Sequence, residues 1–284
     1  GDVNAPMADG RTPVFVAAKM GEADAIRALV DLGANVNTPS NTGRTPLYIA
    51  AQEGKVIAIQ ALADLGGDVN APMADGRTPV FVAADMGEAD AVRALVELGA
   101  NIHTPFEGGF TIAHVAAGMG QADVIRALVE RGANVNTPSE DGITPLYIAA
   151  KKGKVGVIQA LAELGGDVNT PRDDGRTPVF IAAGMGEVHA IRALVELGAN
   201  VNTPSEDGST PLYIAAQEGK VGVIQALVEL GAHVNTPIED GRTPVFIAAG
   251  MGEVHAIRAL VELGANVNTI SEDGSTPLYI AAQE

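Results

Sequence analysis

The chain has 284 residues, 46% of them hydrophobic, so it has ample apolar material for burial and is not disordered by composition. Its net charge of -17 argues against nucleic acid and anionic lipid as partners, since both need a basic face. The absence of cysteine excludes disulfides and thiolate metal sites, and no apolar run reaches the roughly 18 residues of a membrane span.

Taken in chain order, the first elements set a pattern that the rest repeats. Thr12-Pro13 reads as a helix start, with Thr capping free N–H groups and Pro fitting the first helical position. Val14 to Met20 then form a short helix that Gly21 can end in a left-handed conformation. A second helix follows from Ala23 to Leu32 and ends at Gly33, burying Ile26, Leu29 and Val30 and leaving Arg27 and Asp31 to solvent. The polar, turn-rich NVNTPSNTGR leads to the next Thr-Pro, and Asp-Gly pairs, as at 75–76 and 141–142, favour a tight hairpin-like turn. The same Thr slot returns at 45, 78, 111, 144, 177, 210, 243 and 276, always 33 residues apart. Pro follows each Thr except Thr111, which precedes Ile112. A helix pair of this size cannot enclose a core alone, so the units must stack into a solenoid.

The pattern DGRTPVFVAA, Gly, IRALVDLGANVN resembles the ankyrin repeat over the whole chain. The resemblance implies an all-α solenoid, an array of helix-turn-helix units joined by β-hairpin-like loops and uncapped at both ends. It implies one domain over 1–284, with full repeats at 9–41, 42–74, 75–107, 108–140, 141–173, 174–206, 207–239 and 240–272 and partial ones at 1–8 and 273–284. The chain starts and stops mid-repeat, and we expect it to be cut from a longer array or sealed by other chains. One departure from the family is systematic. Its Thr-Pro-Leu-His motif keeps His only at His114, while Phe15, Tyr48, Phe81, Tyr147, Phe180, Tyr213, Phe246 and Tyr279 fill that slot elsewhere.

No catalytic constellation is expected. His189 and His255 stand two repeats apart, too far to share a metal, and EGGF lacks the Lys-Ser/Thr of a phosphate loop. We expect no enzyme activity, no metal and no cofactor. The ankyrin resemblance implies a protein partner held by hairpin tips and the concave face of the first helices, with soluble, intracellular (cytoplasmic) residence and no direct membrane insertion.

Two rows of residues fall at those positions. Met20, Met86, Met119, Met185 and Met251 offer an adaptable apolar surface. Acidic pairs at the tips, including Asp174, Asp207 and Asp240, form a row suited to a basic segment of a partner protein. The odd repeat, 108–140, breaks an alternation of TPVF and TPLY units. Phe106 just before it and Phe110 within it are the two aromatics that the repeat does not require. With Met119, Ile143, Lys151 and Lys152 they form the expected partner patch, apolar and locally basic. Opposed to this is a packing role, in which both Phe rings plug a gap over the altered turn. A scaffold or adaptor is the first reading of function; a structural array, self-stacking end to end, is the second.

Overall fold

The computed structural model describes residues 2–282, all helical apart from turns and connecting segments, with no strand among them. They fall into two compact units, Gly1–Asn134 and Val135–Glu284.

In the first unit the first helices of successive repeats are α1 (Pro13–Met20), α3 (Pro46–Gln52), α5 (Pro79–Met86) and α7 (Ile112–Met119). Their partners are α2 (Ala23–Asp31), α4 (Val56–Asp64), α6 (Ala89–Glu97) and α8 (Ala122–Glu130). First helices pack on first helices and second on second, in repeat order. The second unit follows the same rule. Its first helices are α9 (Pro145–Lys151), α11 (Pro178–Met185), α13 (Pro211–Gln217), α15 (Pro244–Gly250) and α17 (Pro277–Ala281). Its second helices are α10 (Val155–Glu163), α12 (Val188–Glu196), α14 (Val221–Glu229) and α16 (Val254–Glu262).

Helices of five to nine residues are unstable alone in water, so stacking must hold them. Small residues permit it: Ala50, Ala51, Ala83, Ala84, Ala116 and Ala117 are buried where first helices meet. Behind them Ile59, Leu62, Leu95, Ile125 and Leu128 fill the space between the two helix layers. Each fully buried side chain of this size contributes about 1.5–3 kcal/mol.

The Thr-Pro helix starts are as expected at six positions. Thr12, Thr45, Thr144, Thr177, Thr210 and Thr276 accept a hydrogen bond from the backbone N–H three residues on. Thr78 and Thr243 depart from the expectation and make no side-chain cap; the Thr243 hydroxyl instead lies 3.3 Å from that of Thr269. Thr111 lacks the following Pro and uses His114, whose Nδ1 accepts from the Thr111 N–H at 3.0 Å.

A feature not assigned from sequence ties the repeats together. The Asn after Val in most Val-Asn endings reaches across to the next repeat. Asn37 donates Nδ2–H to the Gly66 carbonyl and accepts from the Asp68 N–H. Asn70 does the same with Gly99 and Asn101, and Asn169 with Gly198 and Asn200. The carbonyl to which it donates belongs to the glycine that follows a second helix and its cap. His103 occupies this slot and makes no such side-chain bond among the described residues; only its backbone N–H is engaged, by Asn101.

Candidate functional site at the hairpin tips

Each tip is a short turn closed by two backbone bonds. In the second, the Ser40 N–H donates to the Arg44 carbonyl and the Gly43 N–H to the Ser40 carbonyl. Where a tip reads Asp-Gly-Arg, the Asp binds its own turn. Asp75 accepts from the Arg77 backbone N–H and from its Nε–H at 2.7 Å, and Asp240 holds Arg242 in the same way. These bonds, from the guanidinium first and then the backbone, hold both carboxyls below the ordinary Asp range, although desolvation opposes them. Asp207 is held low by the Ser205 hydroxyl and the Ser209 N–H. Asp174 accepts from the Arg176 N–H and lies 3.6 Å from its guanidinium. The expected acidic row is thus divided. Its Asp members at 174, 207 and 240 are committed to turn geometry, while Glu140, Glu206, Glu239 and Glu272 are exposed and unpaired among the described residues.

The methionine row is exposed, from 46% at Met185 to 65% at Met20. Met20, Met86 and Met119 belong to the first unit, Met185 and Met251 to the second.

The tip at 106–110 differs from the others. Gly108 and Gly109 both take positive φ, 76° and 78°, and Glu107–Gly109 closes into a 3-10 turn. A Cβ at Gly108 would lie 3.2 Å from the Phe110 ring, so glycine at 108 lets that ring settle on the turn. Phe110 then meets His114 edge-on, centroids 5.3 Å apart. Phe106 packs edge-on against Phe81 at 4.7 Å with planes at 86°. Both rings are half-buried. They therefore do part of the packing work and keep part of their surface free.

Beside Phe106 the first unit has a cleft of about 500 Å³. Asn70, Asp75, Thr78, Asn101, Thr104, Pro105 and Glu107 complete its walls. The Phe106 ring gives it an apolar surface and the unpaired carboxylate of Glu107 gives it negative charge. Nothing in the sequence beyond the unusual Phe marks this cleft, because its other walls are ordinary repeat residues. Ile143, Lys151 and Lys152 belong to the second unit, where both lysines are exposed and unpaired and Ile143 is half-buried. The histidines at 103, 189, 233 and 255 are all exposed and apart. Among the described residues no three His, Asp or Glu side chains gather as metal ligands would. No helix there is long and apolar enough to cross a membrane.

The model of a family described as ankyrin repeats matches segments that together run from residue 1 to 284. The human ASB11 ankyrin repeat domain is similar in structure, with TM-score 0.67 and 31% identity, over 78% of this chain and 98% of that one. The ankyrin repeat domain of Bcl-3, described as a unique member of the IkappaB protein family, gives TM-score 0.65 and 27% identity, over 73% of this chain and 95% of that one. No curated protein matches the sequence.

Proposed function

Because the chain belongs to the ankyrin-repeat family, whose domains are generally protein–protein interaction modules, we propose that it is a non-enzymatic scaffold or adaptor gripping a protein partner at its tips. The observation that carries the reading is the cleft beside Phe106. An aromatic wall next to an unpaired carboxylate suits a Lys or Arg side chain, whose stem covers the ring while its charge meets Glu107. A segment with basic and apolar residues is therefore the partner. Phe110 and the exposed Met119 extend the apolar surface on the first unit, with Met20 and Met86 in the same row. Ile143, Lys151 and Lys152 are partner-contacting positions on the second unit, as are Met185, Met251 and the tips carrying Asp174, Asp207 and Asp240.

Peptide display tests this directly. Random peptides selected on the immobilised chain should be enriched in Lys or Arg beside a large apolar residue. Glu107→Lys and Phe106→Ala should each weaken those peptides by about tenfold or more, the scale of a lost hot-spot contact. Because Glu107 is exposed, its variant should melt as the parent does. Peptides that bind both variants unchanged would refute the assignment.

A second reading has its own observation. Val16 on α1, and Leu278 and Tyr279 on α17, are exposed, whereas Tyr48, Tyr147 and Tyr213 in the same slot as Tyr279 are buried. Faces of this kind suit further repeats or a second copy, which would make the chain a self-stacking array.

A further inference from the structure

A second cleft, of about 260 Å³, lies in the first unit between the tips at 7–11 and 40–44. Arg11, Lys19 and Arg44 line it against one carboxylate, Asp9, with the Ser40 and Thr42 hydroxyls beside them. A pocket with three cations to one anion is unusual on a chain of net charge -17. The cause is a small set of changes in the repeat. At 9–11, 75–77, 174–176 and 240–242 the arginine is held by the Asp two residues before it. At 42–44 that Asp is Thr42, so Arg44 has no carboxylate within ion-pair distance among the described residues. Lys19 is exposed and equally unpaired, and its slot holds Gly184 and Gly250 in other repeats of the same type.

The two tips that flank the cleft are joined directly. The Asn41 N–H donates to the Asp9 carbonyl at 3.0 Å, and the Asn41 Nδ2–H to the Ala8 carbonyl at 3.1 Å. The Ser40 and Thr42 hydroxyls lie 3.0 Å apart, so one of them can donate to a ligand while accepting from the other. The matching cleft in the second unit shows what the substitutions achieve. There Asp240, Glu272 and Asp273 stand against Arg242 alone, with Gly250 and Ser275 at the Lys19 and Arg44 slots. The same backbone frame is positive at one place and negative at another.

We propose that the cleft of Arg11, Lys19 and Arg44 binds a phosphorylated side chain of a partner protein. A dianionic group with several acceptor oxygens can take the Arg44 guanidinium, the Lys19 ammonium and a hydroxyl together, whereas a carboxylate has fewer oxygens to share among them. This site shares no residue with the Phe106 cleft, so each can fail without the other.

The test follows the arginine Nε–H resonances of the whole chain during titration with the peptide Ala-Gly-phosphoserine-Gly-Ala. Saturable shifts of the Arg44 signal are expected. The same peptide with Glu should bind about tenfold more weakly, and that with Ser should cause none. Lys19→Gln with Arg44→Gln should weaken the phosphopeptide about tenfold or more and leave the melting temperature unchanged. The absence of a saturable shift, or undiminished binding by the double variant, would overturn the proposal. Equal binding of the Glu peptide would overturn it in favour of a plain acidic segment, and tighter binding of inorganic phosphate would overturn it in favour of a free anion.

Discussion

His103 shows what one residue means in a repeated frame. It stands where Asn37, Asn70 and Asn169 each join two repeats through two hydrogen bonds, and it makes neither with its side chain. His103→Asn should therefore raise stability by about 1 kcal/mol, the net worth of bonds at an exposed site. Asn169→Ala should lower it by a similar or larger amount, and thermal unfolding of the two variants measures both. The tip aspartates give a pH dependence of defined sign. Asp207, Asp240 and Asp273 titrate below their ordinary range in the folded chain, through bonds from Ser205, Arg242 and Ser271 respectively. Their contribution is thus complete above the unfolded pKa, near 3.9, and is lost as pH falls through the lower folded value. The thermal midpoint should drop steeply below about pH 4, and Asp207→Asn should flatten that drop. A midpoint independent of pH there would show that these bonds do not stabilise the fold. Such roles were only partly legible in the sequence. Thr12 announced itself as a cap through the Pro beside it, whereas Asn70 looked like any polar turn residue, because its partners lie 29 and 31 positions away.

At the scale of the element, first helices are short and depend on their starts. Thr45 caps α3 with Pro46 behind it, but α7 begins at Ile112 and depends on Thr111 and the buried His114. Thr45→Ala should cost about 1 kcal/mol. His114→Ala should cost more, roughly 2–4 kcal/mol, because it removes a cap, a buried ring and the Phe110 contact together. Equal losses by chemical denaturation would contradict this account of α7. The helices and their ends followed from the 33-residue spacing to within a residue: the second helix expected to end at Leu32 ends at Asp31, with Leu32 as its cap. The tips were less legible. An Asp-Gly pair marks a turn, but which carboxylate is free depends on whether Arg or Ser lies within reach, and that is decided by the fold. The two Phe rings also divided differently from either expectation, packing one face and exposing part of another.

For the molecule as a whole, the repeat supplies a uniform frame, and in the proposed function the departures from it, Phe106, Phe110 and Thr42 among them, supply specificity. The self-stacking reading belongs at this scale: light scattering at high concentration should show growth if the exposed faces of α1 and α17 associate, and a monodisperse monomer would exclude it. The partner reading is tested most directly by hydrogen exchange on the chain with and without a display-selected basic peptide. Added protection at 70–78 and 101–111, absent in Glu107→Lys, is the result expected of a partner held in the Phe106 cleft. Protection confined to other segments, or unchanged in that variant, would contradict it.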